Sequence, residues 1–482
     1  MDKLFKKFKS WEKPVVGIGV TAFTRIGPAF LLPEYKIITL LETADLEYIR
    51  ELASVYSLEK DFSLDPYSLD KQNTSTIMSQ PAVFAFLQSL GRGTSLMAYK
   101  SSPKIEKICV SLGINILTNK SSIRNPFENK KEFRVLGLKA GLKLIPGETL
   151  LLSRLTRERY ELYVKQYGKK LVFQLPDYKV GGGIGTFFVS SMKDFEEFTG
   201  FVKRRIEAGK ELEWVNVAKF IKGIDASICG CVTRHGVLCG LLQTQLVDIE
   251  EARAFKGRSG VWLGHDWGWK QFDLKLQKKA ESITQTLGKY MHKKGYKGMF
   301  GIDVVIDENN EVWPVECNAR YTGGFPVYSM MQDIYNEPSF DVFHLAEFLG
   351  LDYDLDLKKI QSLYRRPKKG AHLILHNQER RWVKVKGNLK AGVYKLKNGK
   401  LLWLRPGFSL SHLKESDEFC LCDRAALESR ILKPGERIVR LLFKDKIATS
   451  SSTLNDWASS VCKAVYREYS LQTIPSRTKD IA

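Results

Sequence analysis

Two carboxylates, a carboxamide and a guanidinium punctuate one stretch, GMFGIDVVIDENNEVWPVECNARYTGG, from Gly298 to Gly324. Phe300, Ile302, Val304 and Ile306 alternate with other residues, and Val312, Trp313 and Val315 make the following run apolar too. Alternation at a period of two predicts a β-hairpin. Between the runs lies DENNE, rich in residues that accept positive φ, so Asn309-Asn310 are the expected two-residue turn. That turn sets Glu308 against Glu311 and, counting outward, Asp303 against Glu316. Opposed side chains on paired strands sit about 5 Å apart at Cβ, where like charges repel. Asn318 falls two residues on, on the face of Glu316. Such a cluster of oxygens suits a hard cation. The plain alternative is a solvated acidic face, but the flanking positions look buried. Arg320 follows, with a planar fork suited to a phosphoryl or carboxylate group.

G-x-x-x-x-D, thirteen residues to the Glu of E-x-N-x-R, then a glycine pair, resembles the metal-binding end of the ATP-grasp superfamily. The resemblance implies that Asp303, Glu316 and Asn318 bind Mg²⁺ (or Mn²⁺) that holds ATP, and that Arg320 stabilises a phosphorylated intermediate. Further family elements stand upstream in the expected order. Phe133, Leu136, Leu138 and Ala140 predict a short helix ending near Gly141, and Lys130 lies eleven residues before that glycine, the family spacing for a phosphate-reaching lysine. Lys131 is the alternative. Next, Lys179-Val-Gly-Gly-Gly-Ile-Gly-Thr separates two apolar strands, Leu171–Phe173 and Phe187–Val189. It resembles the glycine-rich loop that closes over ATP, where backbone N–H groups of Gly181, Gly182, Gly183, Gly185 and Thr186 approach phosphate oxygens unobstructed. The lysine that usually ends the first strand is absent; Gln174 stands there, so phosphate charge falls to Lys130, to Lys179 or to neither. Last, VNVAKFIKGID resembles the segment against which adenine packs. It implies base-edge contacts from the backbone at Lys219 and Ile221, and ribose contacts from Asp225. The acidic residue that often opens this segment is missing, with Ala218 in its place.

These residues need elements to position them. Alternating strands and helices over 1–124 predict an N-terminal open parallel α/β domain, with strands at Val15–Val20, Lys36–Leu41, Ser95–Tyr99 and Ile114–Leu117. Helices are expected at Ala44–Val55, Ala82–Leu90 and Lys104–Leu112, and a loop at Ser63–Gln80. Residues 125–350 make a two-lobed ATP-grasp domain, in which Leu276, Ala280, Ile283, Leu287 and Met291 repeat at helical spacing behind the hairpin. Before that helix, RAFKGRSGVWLGHDWGWKQFD carries three tryptophans, Arg258, His265 and Asp266. It reads either as a packed surface loop or as a substrate-pocket wall in which His265 or Asp266 orients a nucleophile. Short apolar runs over 351–450 predict a β-rich C-terminal domain, a small barrel or sandwich, and 451–482 a closing helix and tail.

A hydrophobic content of 44% with 27% charged residues is globular, and no apolar run is long enough to span a membrane. The opening MDKLFKKFKSWEKP lacks the h-region of a secretory signal and reads as a frayed end or a weak surface helix. The eight cysteines are read as buried thiols in a reducing cytoplasm. A net charge of +21 suits polyanionic ligands; with no nucleic-acid-binding motif, it is read as a solvated basic surface. The expected protein is a cytoplasmic ligase of biotin-carboxylase-like architecture that uses ATP and Mg²⁺ to activate a carboxylate as an acyl phosphate for attack by an amine. Two other readings stay open: an enzyme using bicarbonate or a purine precursor, and a non-catalytic basic binder that keeps a nucleotide fold. Neither the substrates nor the oligomeric state is legible.

Overall fold

The computed structural model describes residues 1–177, 185–254 and 260–475. Lys179, Gly181, Gly182, Gly183 and Arg258 lie outside the described residues. The chain begins with a parallel sheet of β1 (Val15–Gly19), β2 (Tyr35–Thr39), β3 (Ser54–Ser57), β4 (Ser95–Ala98) and β5 (Asn115–Ile116), ordered β3-β2-β1-β4-β5. Every residue of β1 is buried, as the continuous run VVGIG demands of a strand covered on both faces. The order reverses beside β1, which opens a crevice at the carboxyl ends of β1 and β4.

Two local expectations fail here, and one open alternative is resolved. The helix over Ala44–Val55 is a single turn, Leu46–Ile49, because the chain re-extends into β3 to put Val55 in the sheet. The loop Ser63–Gln80 contains a helix, Thr74–Met78, capped by Asn73 and anchored by fully buried Ile77 and Met78. The opening segment is a docked helix, Asp2–Lys9, with Leu4 and Phe8 in the core and Lys7 Nζ donating to the Asp352 carbonyl at 2.7 Å.

The second layer is a small antiparallel sheet of β6 (Gly147–Leu151), β7 (Leu171–Gln174), β8 (Thr186–Val189) and β9 (Trp214–Lys219), ordered β6-β9-β7-β8. The third is an 11-stranded sheet among the described residues. It starts at an edge with β15 (Val312–Asn318), then β14 (Gly298–Asp307) and β10 (Gly223–Thr233), which also carries β11 (Gly236–Cys239). It continues through β12 (Gln243–Val247) and β13 (Trp262–Asp266). The helix Leu274–Lys293 covers it with Ala280, Leu287 and Met291, all fully buried.

The C-terminal strands correct a further expectation. They do not stand apart as a closed barrel. β16 (Ala371–His376) pairs with β13, and β22 (Arg437–Phe443), β20 (Glu418–Cys422), β18 (Gly392–Lys397) and β19 (Lys400–Arg405) extend the same sheet in that order. β17 (Val383–Val385) and β21 (Ile431–Leu432) form a small sheet of their own with Leu471–Thr473. The helix Asp456–Tyr469 then closes the chain's second core, with Val461 and Val465 fully buried. At the junction, Gly264 faces Leu373, and a Cβ there would run into the His372 carbonyl. Gly264→Ala should therefore force the two strands apart and cost about 2–3 kcal/mol, read as a drop in urea midpoint with little change in slope. All eight cysteines are buried free thiols.

Asp45 is fully buried where the first domain meets the C-terminal strands, with Ala44 N donating to the Ala425 carbonyl at 3.0 Å. Burial, and then the Asp423 carboxylate, push Asp45 up to about 7. A carboxyl raised on folding binds its proton more tightly in the fold than in the unfolded chain. Stability is therefore lost as pH rises from about 4 to 7, and the loss then levels off. Asp45→Asn should raise Tm at pH 8, by the equivalent of about 2–4 kcal/mol, and leave it unchanged near pH 4.

Candidate active site

The β14–β15 hairpin reaches its expected pairing by an unexpected route. The turn has three residues, Glu308, Asn309 and Asn310, with Asn310 at φ 57° and the amides of Asn310 and Glu311 both bonded back to Asp307. Glu308 therefore does not face Glu311, and Ile306 faces Val312. A β-bulge restores the register: Val304 faces Pro314, but Asp303 faces Glu316, which leaves Val315 as the extra residue. β15 is an edge strand, where a proline without an N–H is tolerated.

Asp303 is held from two sides. Gln245 Nε2 on β12 donates to its Oδ1 at 2.7 Å, and Asn318 Nδ2 donates to its Oδ2 at 3.0 Å. Glu316 meets the Lys130 ammonium at 3.0 Å. That ammonium, the largest influence, holds Glu316 down to about 2, while burial and then Glu316 push Asp303 well above the carboxylate range. Burial and the facing carboxylate thus oppose ionisation of Asp303, while Lys130 favours the charge on Glu316. Among the described residues no three acidic, His or Cys side chains converge. A cation that keeps waters and phosphate oxygens takes one or two protein carboxylates, so this donor set fits Mg²⁺, provided the Asn318 amide turns its oxygen inward.

Lys130, not Lys131, reaches the acidic pair. Both open the helix Lys130–Ala140, which Asn129 caps by accepting from Lys131 N and Glu132 N. The Lys130 carbonyl also accepts from Asn216 Nδ2 at 3.1 Å, and Lys131 lies over the Trp214 ring at 3.5 Å. Lys130, Asp303, Glu316 and Asn318 line one cavity of about 1290 Å³ between the sheets. Thr186, Lys219, Ile221, Asp225 and Arg320 line it too. Gly185, just before Thr186, is not among the lining residues, and its carbonyl accepts from Leu175 N at 2.9 Å. The Lys219 amide is donated to the Pro146 carbonyl at 2.9 Å, which removes it as a base-edge donor and leaves its carbonyl. Phe220 and Phe188 meet edge-on at 5.6 Å, with Lys170 over the Phe220 ring at 3.7 Å. Gln174 Nε2 reaches Thr186 Oγ1 at 3.5 Å at the end of β7. Burial, and then Asp248, raise Asp225.

Arg320 is tied to Glu128 and donates from Nε to the Tyr99 hydroxyl at 3.1 Å; it does not pair with Glu316. Glu128 also pairs with Arg124. Asp266 is not a cavity group: its carboxylate accepts the amides of Gly268, Trp269, Ile447 and Ala448. His265 does line the cavity. Arg440 Nη1 donates to His372 Nδ1 at 2.9 Å, because a guanidinium cannot accept. His372 Nε2 and His265 Nδ1 lie 3.0 Å apart, and His265 Nε2 faces the Ser227 hydroxyl at 3.2 Å and the Trp262 indole N–H at 3.3 Å. Burial, followed by the charge of Arg440, keeps both rings neutral, with His265 lowered to about 3. Asp423 closes the far end, accepting from Arg440 Nε at 3.0 Å. Sequence spacing gave no signal for Tyr99, Glu128, Gln245 or Ser227, which come from separate elements and meet only in the fold.

No protein-family model matches the chain, and no curated protein matches it in sequence. Solved structures do match. A Campylobacter jejuni biotin carboxylase in complex with an ATP compound aligns at TM-score 0.62 and 13% identity, over 96% of this chain and 92% of that one. The biotin carboxylase domain of Hydrogenobacter thermophilus 2-oxoglutarate carboxylase, with MgADP, ADP and bicarbonate, aligns at TM-score 0.61 and 12% identity, over 96% and 91%. An Aspergillus clavatus N5-carboxyaminoimidazole synthase, with ADP and an aminoimidazole ribonucleotide, aligns at TM-score 0.54 and 13% identity, over 95% and 99%. A parallel first sheet, a small sheet over a cavity and a large sheet that runs on into the C-terminal strands give the chain the ATP-grasp fold in its biotin-carboxylase-like arrangement.

Proposed function

We propose that the chain is an ATP- and Mg²⁺-dependent ligase that activates a carboxylate as an acyl phosphate and passes the acyl group to an amine. The observation that carries this reading is the opposed Asp303–Glu316 pair, countered by Lys130, inside the cavity between the two sheets. Phe188, Phe220 and Val172 offer the base an apolar slot, and Asp225 offers an acceptor for the ribose hydroxyls. Lys130 exchanges Glu316 for a phosphate oxygen. Mg²⁺, when bound by Asp303, Glu316 and Asn318, supplies charge neutralisation on the phosphates. The substrate carboxylate forms a bond to the γ-phosphorus as the bond to ADP breaks. The amine then attacks the acyl carbon, loses its proton, and phosphate leaves. Arg320 trades Glu128 for the developing charge. The glycine loop residues Lys179, Gly181, Gly182 and Gly183 belong to this proposal as phosphate contacts on sequence grounds alone.

ADP release tests the reading: it should appear only when Mg²⁺ and a carboxylate are both present, across a screen of carboxylates against amines. Nucleotide that neither binds nor turns over would reject it. A bicarbonate-using carboxylase is the second reading, favoured because the Hydrogenobacter structure holds that anion. In CO₂-free buffer its ADP release should depend on added bicarbonate alone.

A further inference from the structure

Trp262 and His265, from the tryptophan-rich segment, both line the cavity although they stand three residues apart. On a regular strand that spacing would send them to opposite faces. A bulge brings them together: Val247 faces Trp262 and Leu246 faces Gly264, which leaves Leu263 as the extra residue. Leu246 and Leu263 are fully buried in the C-terminal core, while Gln245, Val247, Trp262 and His265 take the cavity face. The strand order β14-β10-β12-β13 sets the indole three strands, about 14 Å, from the strand of Asp303. The chain leaving Arg320 reaches across to it. A Cβ on Gly324 would sit 2.6 Å from His265 Cε1, and one on Gly323 would sit 3.1 Å from the indole, so the glycine pair keeps side chains off both rings. The indole is held in one orientation: its N–H meets His265 Nε2 at 3.3 Å, and the His265 and His372 rings stand 5.2 and 5.8 Å from it. Trp262 is only partly buried, so part of this fixed ring is left to the cavity. Lys100, Arg424 and Arg437 make the far end of the cavity basic, and Arg437 and Arg440 act on the adjoining His372. An ammonium ion over the indole would therefore meet like charge, which disfavours a cationic occupant.

We infer that the acceptor amine is borne on a flat conjugated ring, which stacks on the Trp262 indole in the part of the cavity beyond Arg320. An amine attached to such a ring is uncharged near neutral pH, as the basic surroundings require. Offset stacking on a fixed indole also rewards a flat ring over a saturated one of the same size. This deepens the ligase reading and rests on it.

The test uses two uncharged probes of matched size, benzamide and cyclohexanecarboxamide. They are titrated by ligand-observed NMR into the full chain, with and without Mg²⁺ and the non-hydrolysable analogue AMP-PNP. Wild type should bind benzamide about fivefold more tightly, whereas a merely apolar slot would favour the saturated ring. Trp262→Phe should keep part of that preference. Trp262→Leu, which keeps apolar bulk without a ring system, should bind the two probes alike, with AMP-PNP affinity unchanged as the sign of an intact fold. Equal binding of both probes by wild type overturns the aromatic class. A preference undiminished in Trp262→Leu overturns the stacking platform, and binding of neither probe overturns the site. Failure of AMP-PNP to bind overturns the ligase reading instead, and the titrations without nucleotide still decide the platform, which separates the two.

Discussion

Glu316→Gln should lower ADP formation by about 10³-fold or more, the largest effect expected of any single change in this chain. The substitution keeps the shape of the side chain and removes the charge that both Lys130 and a bound cation need. A readout other than turnover accompanies it. Wild type should gain Tm on addition of Mg²⁺ with AMP-PNP, because a ligand that binds only the fold stabilises it by mass action; the variant should gain far less. Without Mg²⁺ the two proteins should melt close together: the change leaves Lys130 without its partner but also frees Asp303 from a facing charge. A variant that turns over at near the wild-type rate would remove the metal role from this hairpin.

Arg320→Lys should depress kcat by about 10²-fold, with a much smaller change in the KM for ATP. The lost contact would be one made mainly in the transition state, worth about 2–4 kcal/mol. The structure sharpens this expectation, because the guanidinium already holds Glu128 and Tyr99 at rest. An arginine that only stabilised Glu128 would be mimicked by Glu128→Gln. An arginine that moves to the acyl phosphate would not be, and Glu128→Gln should keep most of kcat. Steady-state kinetics on both variants decides between these, and an unchanged kcat in the lysine variant removes Arg320 from the chemistry.

The hairpin shows what a sequence carries and what it leaves out. Its strands, its partner residues and its facing carboxylates follow from alternation and turn chemistry. The turn itself was misjudged by one residue, and the Asp303–Glu316 pairing survived only because a bulge at Val315 shifted the register back. Asn310 in the left-handed region and Pro314 on an edge strand both hinted at irregularity, but local pattern cannot place a bulge. Helices with a strong apolar stripe, such as Leu274–Lys293, were legible; the single turn Leu46–Ile49 was not, because a tertiary demand for β3 overrode a helical stretch. The first shell around Asp303 was half legible. Lys130 follows from the family resemblance, whose spacing to Gly141 it matches, whereas Gln245 and Ser227 reach the site through strand order, which sequence does not state. Asp266 looked chemical and is architectural, since four backbone amides occupy it.

The joining of β13 to β16 has a mechanical meaning. The strand that bears Glu316 and the strand that bears Arg437 belong to one hydrogen-bonded plate, with no loop-only connection between them. The Asp303–Glu316 pair and the basic end of the cavity are thus set in a single casting, and a hinge between them would have to break a ladder of backbone bonds. The four-stranded sheet over the cavity is laced separately from that plate. On the proposed reading, closing on a nucleotide would lower that sheet onto a fixed bed. On the same reading, a different acceptor would ask for different side chains in the bed and leave the plate itself unchanged.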